Sequence, residues 1–125
     1  MPIHLQFDEV SGCVFSTASG IVAVGEVEAH IRAKAEANMH SQPEIFDARD
    51  VTLDLSTEDL KHIASVVRET LGSLTPGPIA VVTNSGFIEC LCRAYAAMTV
   101  KQNPAFGVFK TLAEAKEWVA QVAVK

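Results

Sequence analysis

The chain has 125 residues, 49% of them apolar and 20% charged, a composition that fits one globular domain and leaves little room for a second. A formal charge of -5, with no block of Lys and Arg, argues against nucleic acid or an anionic membrane surface as the partner, because both need basic side chains to displace counterions. Cys13, Cys90 and Cys92 make an odd count in a chain able to build its own core, so no disulfide framework is expected and a reducing compartment fits best.

Asp8 and Glu9 stand where an export signal needs a basic start and an apolar run. The longest uncharged stretch, Thr70 to Ile88, is broken by Gly72, Pro76, Gly77, Pro78 and Gly86. The expectation is a soluble, cytoplasmic protein without a membrane span.

In chain order, Ile3 to Asp8 alternates Ile3, Leu5 and Phe7 with polar residues and predicts an edge strand. Ser11-Gly12 turns the chain into a second strand, Cys13 to Ser19, which closes an antiparallel hairpin. Ile21 to Val24 reads as short extended chain. From Glu26 to about His40, Val27, Ile31, Ala35 and Asn38 share one face of an amphipathic helix, with Glu28, Arg32 and Glu36 on another. Pro43 ends that helix, and Glu44 to Ala48 predicts a short strand leading into the charged cluster Asp47 to Asp50.

Ser56, with Asp59 three residues on, forms a capping box that opens a second helix. Its apolar face is Leu60, Ile63, Ala64, Val67, Leu71 and Leu74, and Gly72 with Thr75-Pro76-Gly77 ends it. The continuous apolar run from Ile79 to Val82, within Pro78 to Thr83, suits a central parallel strand covered on both faces. Asn84-Ser85-Gly86 starts a third helix from Phe87 to about Gln102. After Pro104 comes a last strand, Ala105 to Phe109. Thr111 and Glu114 then cap a fourth helix presenting Leu112, Ala115, Trp118, Val119 and Val122. The order ββαβαβαβα predicts an α/β single domain: a mixed sheet of about five strands, an N-terminal antiparallel hairpin followed by parallel strands, and four helices joined by right-handed crossovers.

This order, with Ile45-Phe46-Asp47 followed by Asp50 to Leu60, resembles the STAS or SpoIIAA-like family over nearly the whole chain, and most closely its stand-alone STAS/SEC14-type members. The resemblance implies a non-enzymatic regulatory or protein-interaction domain. Phospho-switching members of that family carry Asp-Ser-Ser/Thr-Gly at the turn into the second helix. The same turn here reads Leu55-Ser56-Thr57-Glu58, which keeps the serine and loses the Asp and the Gly. Ser56 is therefore read in two ways, as a phosphorylation site implied by the resemblance and as a structural N-cap.

Ligands of open α/β sheets bind beyond the carboxyl ends of the parallel strands, which places Asp47, Arg49, Asp50, Thr83, Asn84 and Ser85 on one candidate rim. There the N–H groups of Asn84-Ser85-Gly86 and the charge of Arg49 suit an anion, and a plain turn with a solvated Asp/Arg pair explains the same residues. Cys90 and Cys92 lie two apart on a helix and point too far from each other to share an ion; Cys90 is expected in the core and Cys92 half-exposed beside Glu89 and Arg93. His4, His30, His40 and His62 show no ligand spacing, and no catalytic motif, metal site or cofactor is indicated.

Helix three carries Phe87, Ile88, Leu91, Tyr95 and Met98 in a broad apolar surface, read as core, as a homodimer face or as the wall of an apolar pocket. Two functions follow. The first is a protein-interaction module, partnered by another protein or by a second copy. The second is a carrier or sensor of a small apolar ligand with an anionic head near Arg49, Asn84 and Ser85.

Overall fold

Period-two alternation and helix caps account for most element boundaries in the computed structural model, which describes residues 2–99 and 105–123. The elements are β1 (Ile3–Asp8), β2 (Cys13–Ala23), α1 (Val24–Glu36), β3 (Glu44–Asp54), α2 (Thr57–Leu71), β4 (Ile79–Val82), α3 (Gly86–Met98), β5 (Phe106–Phe109) and α4 (Leu112–Ala123). The strands lie in chain order β1-β2-β3-β4-β5, with β1 antiparallel to β2 and the other neighbours parallel. Each parallel crossover steps one strand in the same direction, so right-handed connections put α1, α2 and α3 on one face. On the opposite face, Ala115 and Val119 of α4 pack with Cys13, Ile45, Ala80 and Val82. The expected mixed sheet of five strands with four helices is the one observed.

The capping box at Ser56 forms in full, and the cap at Thr111 forms without the reciprocal bond to its backbone N–H. Ser56 Oγ accepts from the Asp59 N–H at 3.1 Å, and Asp59 Oδ2 accepts from the Ser56 N–H at 2.9 Å. Thr111 Oγ1 accepts from the Glu114 N–H at 3.1 Å. The face of α2 buries Leu60, Ile63, Ala64, Val67 and Leu71, together with Val66.

Several boundaries differ from the sequence expectation. The second strand runs on through Ala23 and absorbs the separate Ile21–Val24 stretch, and β3 continues six residues past Ala48 to Asp54. These two extensions pair with each other from Ser19↔Asp50 to Ala23↔Asp54, so backbone bonding rather than burial carries residues as polar as Asp50, Thr52 and Asp54. A bulge interrupts that ladder. Between Thr17 and Ser19 the partner strand advances from Asp47 to Asp50, one residue too many. The extra residue switches parity, so that Phe46 and Ala48 before it and Val51 and Leu53 after it join one apolar cluster.

Helix α1 ends at Glu36 rather than near His40. Asn38 adopts a left-handed conformation, φ 58°, and the Met39 N–H reaches back to the Lys34 carbonyl at 2.8 Å, which closes the helix before Pro43 has any effect. The end expected for helix three near Gln102 lies outside the described residues. The cysteines reverse their expected places: Cys92 is buried and Cys90 exposed, because the sheet-facing row of α3 is Ile88, Cys92 and Tyr95 at i, i+4 and i+7. Leu74 is 55% exposed in the loop past α2 instead of extending its buried face.

The turn Pro76-Gly77-Pro78 lies hard against residues 40–42. The Gly77 N–H donates to the His40 carbonyl at 2.9 Å, and a Cβ on Gly77 would overlap the Gln42 carbonyl and stand 2.6 Å from that of Ser41. Gly77→Ala is expected to lower stability by about 1–3 kcal/mol, since both obstacles are backbone atoms. The urea midpoint measures it, and an unchanged midpoint would show that the two loops part freely.

Candidate functional site

Glu44 opens β3, and the pleat turns its side chain to the same face as Phe46, under α1. It is 2% exposed. A carboxylate in that position needs donors, and three converge on it. Ser16 Oγ of β2 donates to Glu44 Oε2 at 2.5 Å, His30 Nε2 of α1 stands 2.7 Å from the same oxygen, and Lys34 Nζ donates to Oε1 at 2.5 Å. An ionised carboxylate only accepts, which assigns the proton to His30 Nε2. His30 and Lys34 lie one turn apart on α1, on the same face as Val27 and Ile31. The ring edge of His30 also meets Phe46, with centroids 5.7 Å apart.

Burial alone would raise the Glu44 carboxyl. The charge of Lys34 and the hydrogen bond and charge of His30 outweigh it, and hold the group far below the usual carboxylate range. Ser16, His30 and Glu44 have the composition of a catalytic triad but not its wiring. Serine and imidazole both point at Glu44 Oε2, and Ser16 Oγ lies 3.4 Å from His30 Nε2, so the hydroxyl proton goes to the carboxylate and no base is free to take it.

This cluster forms one end of a partly open cavity of about 180 Å³ between the sheet and α1, α2 and α3. Phe46, Ala48, Leu53, Ile79 and Val81 make its floor, Leu60, Ile63, Val67 and Leu71 of α2 one wall, and Ile88, Leu91, Cys92 and Tyr95 of α3 the other. His40 and Pro76 close it beside the ionic cluster, at the amino-terminal ends of β3 and β4. Burial, then the nearby Glu44 charge, pushes the Tyr95 hydroxyl up to about 12. Burial, then Glu89, pushes the Cys92 thiol up to about 11. Both side chains stay protonated at neutral pH. Among the described residues, no group of three His, Cys, Asp or Glu side chains suits a metal ion, and no helix is long and apolar enough to cross a membrane.

Of the residues singled out in the sequence, Ile88, Leu91 and Tyr95 line the cavity, whereas Phe87 and Met98 do not; Phe87 is 61% exposed. The rim residues stand apart from it. Asp47 shares its parity with Ile45, on the α4 side of the sheet, and is held by Arg49 through Nε at 2.9 Å and Nη2 at 2.8 Å. That guanidinium, through its hydrogen bonds, keeps the Asp47 carboxyl below its ordinary range. Asp50 and Asn84 are exposed. Thr83 Oγ1 accepts from the Ser85 N–H at 3.1 Å, and Ser85 Oγ from the Ile88 N–H at 3.2 Å, so both hydroxyls serve the start of α3. Exposed Ser56 serves α2 in the same way. Sequence reasoning passed over Ser16, His30, Lys34 and Glu44. The one available signal was Lys34, seven residues after Val27 and three after Ile31, a cation on the apolar stripe of its helix.

Lys34→Met, which strands the Glu44 charge in a buried site, is expected to cost about 3–5 kcal/mol in denaturant unfolding. Acid should weaken the wild type for a related reason. Below about pH 4.5 the unfolded chain protonates Glu44 while the folded chain refuses the proton, so the contribution of this group is complete above that pH and is lost progressively as pH falls. Glu44→Gln should flatten the dependence of the urea midpoint on pH between about 4.5 and 3; a variant that follows the wild-type curve would show that Glu44 does not govern it.

No protein-family model matches the sequence, and no curated protein matches it either. Solved structures do. One is an uncharacterized protein of the DUF3478 family with a SpoIIAA-like fold from Shewanella loihica PV-4, at TM-score 0.61 and 13% identity, covering 94% of this chain and 91% of that one. Another is an anti-sigma factor antagonist from Mycobacterium paratuberculosis, at TM-score 0.54 and 20% identity, covering 94% of each chain. At these identities the likeness is one of architecture, and the ββαβαβαβα chain described above has the SpoIIAA-like fold.

Proposed function

We propose that this protein is a non-enzymatic regulatory domain of STAS-like type that binds a small, largely apolar molecule between its sheet and its three-helix layer. The observation that carries the reading is the cavity itself. Its lining is predominantly apolar, drawn from the sheet and three helices, with a few polar groups gathered at one end, which is the usual form of a small-molecule site. The ionic cluster supports the same reading, because buried ion pairs contribute little net stability compared with apolar residues of equal volume.

The solved anti-sigma factor antagonist of similar fold favours a second component, recognition by a protein partner or a second copy. The exposed ring of Phe87 and the exposed cap at Ser56 are surface groups available to such a partner. In this scheme the cavity occupant adjusts the packing of α2 and α3, and the partner reads their outer faces.

Native mass spectrometry of the protein purified without detergent tests the assignment. The expected spectrum contains a species heavier than the bare chain by a few hundred daltons, lost on denaturation, and Ala48→Leu, which fills the floor of the cavity, should remove it. A ligand-free symmetric dimer in both wild type and variant would instead assign the function to protein interaction alone.

A further inference from the structure

The polar end of the cavity is not chemically complete. Lys34 is 8% exposed, and its ammonium group carries three donors, of which one is taken, by Glu44 Oε1. Among the described residues no other acceptor lies within hydrogen-bond distance of Nζ, although the side chain lines the cavity wall. A second polar atom at the same end is in the same condition: His40 Nδ1 is buried and has no partner. Glu44 is the better satisfied group, with Oε2 accepting from Ser16 and His30 and Oε1 from Lys34. The two remaining N–H donors of Lys34 call for an acceptor, while His40 Nδ1 takes either role according to its tautomer; buried polar groups without partners are among the more expensive defects a protein interior can hold.

We infer that the occupant of the cavity is an amphipathic acyl compound whose terminal oxygen accepts from Lys34 Nζ and faces His40 Nδ1, with its hydrocarbon part lying along α2 and α3 toward Leu60 and Ile88. The inference rests on the cavity reading above and adds the chemical class and the orientation of the ligand. It places the polar end at the amino-terminal ends of β3 and β4, the opposite end of the sheet from Asn84 and Ser85. A free carboxylate and an ester carbonyl present the same acceptor oxygen to Lys34. A protonated amine of equal chain length presents only donors, beside a cation already in place, and is disfavoured by like-charge repulsion with Lys34.

Titration calorimetry of the full chain with decanoate, methyl decanoate and decylamine, each below its aggregation threshold, separates the possibilities. At least one acyl probe is expected to bind about tenfold or more tightly than decylamine; the tighter of the two identifies a free acid or an ester as the natural source. Lys34→Met should abolish that preference. Lys34→Met/Glu44→Leu, which removes the ammonium donor without leaving a buried carboxylate and adds no amide donor, should abolish it too and guards against a single variant that does not fold. Decylamine binding as tightly as the acyl probes, or a preference that survives in the double variant, overturns the inference and leaves the cavity reading intact provided that Ala48→Leu blocks all three probes. Failure of every probe to bind the wild type overturns both.

Discussion

A single carboxylate taken out of water governs the arrangement of the helical face. Glu44 sits at the start of a central strand with 2% of its surface exposed, and a charge so placed persists only if the surrounding chain supplies donors at fixed positions. Those donors come from β2 and from two successive turns of α1, so one set of hydrogen bonds ties the first two parallel strands and α1 together on this face. The helix is thereby held to the sheet through polar contacts along part of the face that would otherwise be filled by aliphatic side chains.

The cavity follows from this choice. On the α4 face, Ala115 and Val119 meet Ile45, Ala80 and Val82, and Trp118 meets Phe109 with ring centroids 5.4 Å apart. The other face has to accommodate the ionic cluster and three helices, and small residues such as Ala48 on its floor leave space. The β3 bulge contributes as well: by switching the parity after Ala48 it turns Leu53 toward α2 and lengthens the apolar floor. The two faces of the same sheet thus differ in purpose, one a filled core and the other a packed layer around a space with a polar end.

How far each part was legible depended on the range of the interaction behind it. The helix caps at Ser56 and Thr111 are local, with donor and acceptor three residues apart, and they were visible as short sequence patterns. The alternation in β1 and the apolar run of β4 register burial directly. Helix α1 stopped short of its expected end because a left-handed Asn38 competes with helix continuation, and no propensity pattern marks which asparagine will do so. The β2–β3 extension eluded the sequence because it is stabilised by a partner 31 residues away in the chain, as in Ser19↔Asp50. The apolar residues of α3 were recognisable as a group, yet which of them face the cavity turned on a rotation of the helix that exchanged Cys90 for Cys92.

From the sequence alone came the class of fold and the number and order of its elements, because period, caps and crossover handedness are written in neighbouring residues. The tertiary structure decided the site. Ser16, His30, Lys34 and Glu44 are separated by as many as 28 positions, and none of them belongs to a motif. What makes them a unit is the convergence of one helix and two strands on a carboxylate that water cannot reach, a property that arises only when distant segments are packed together.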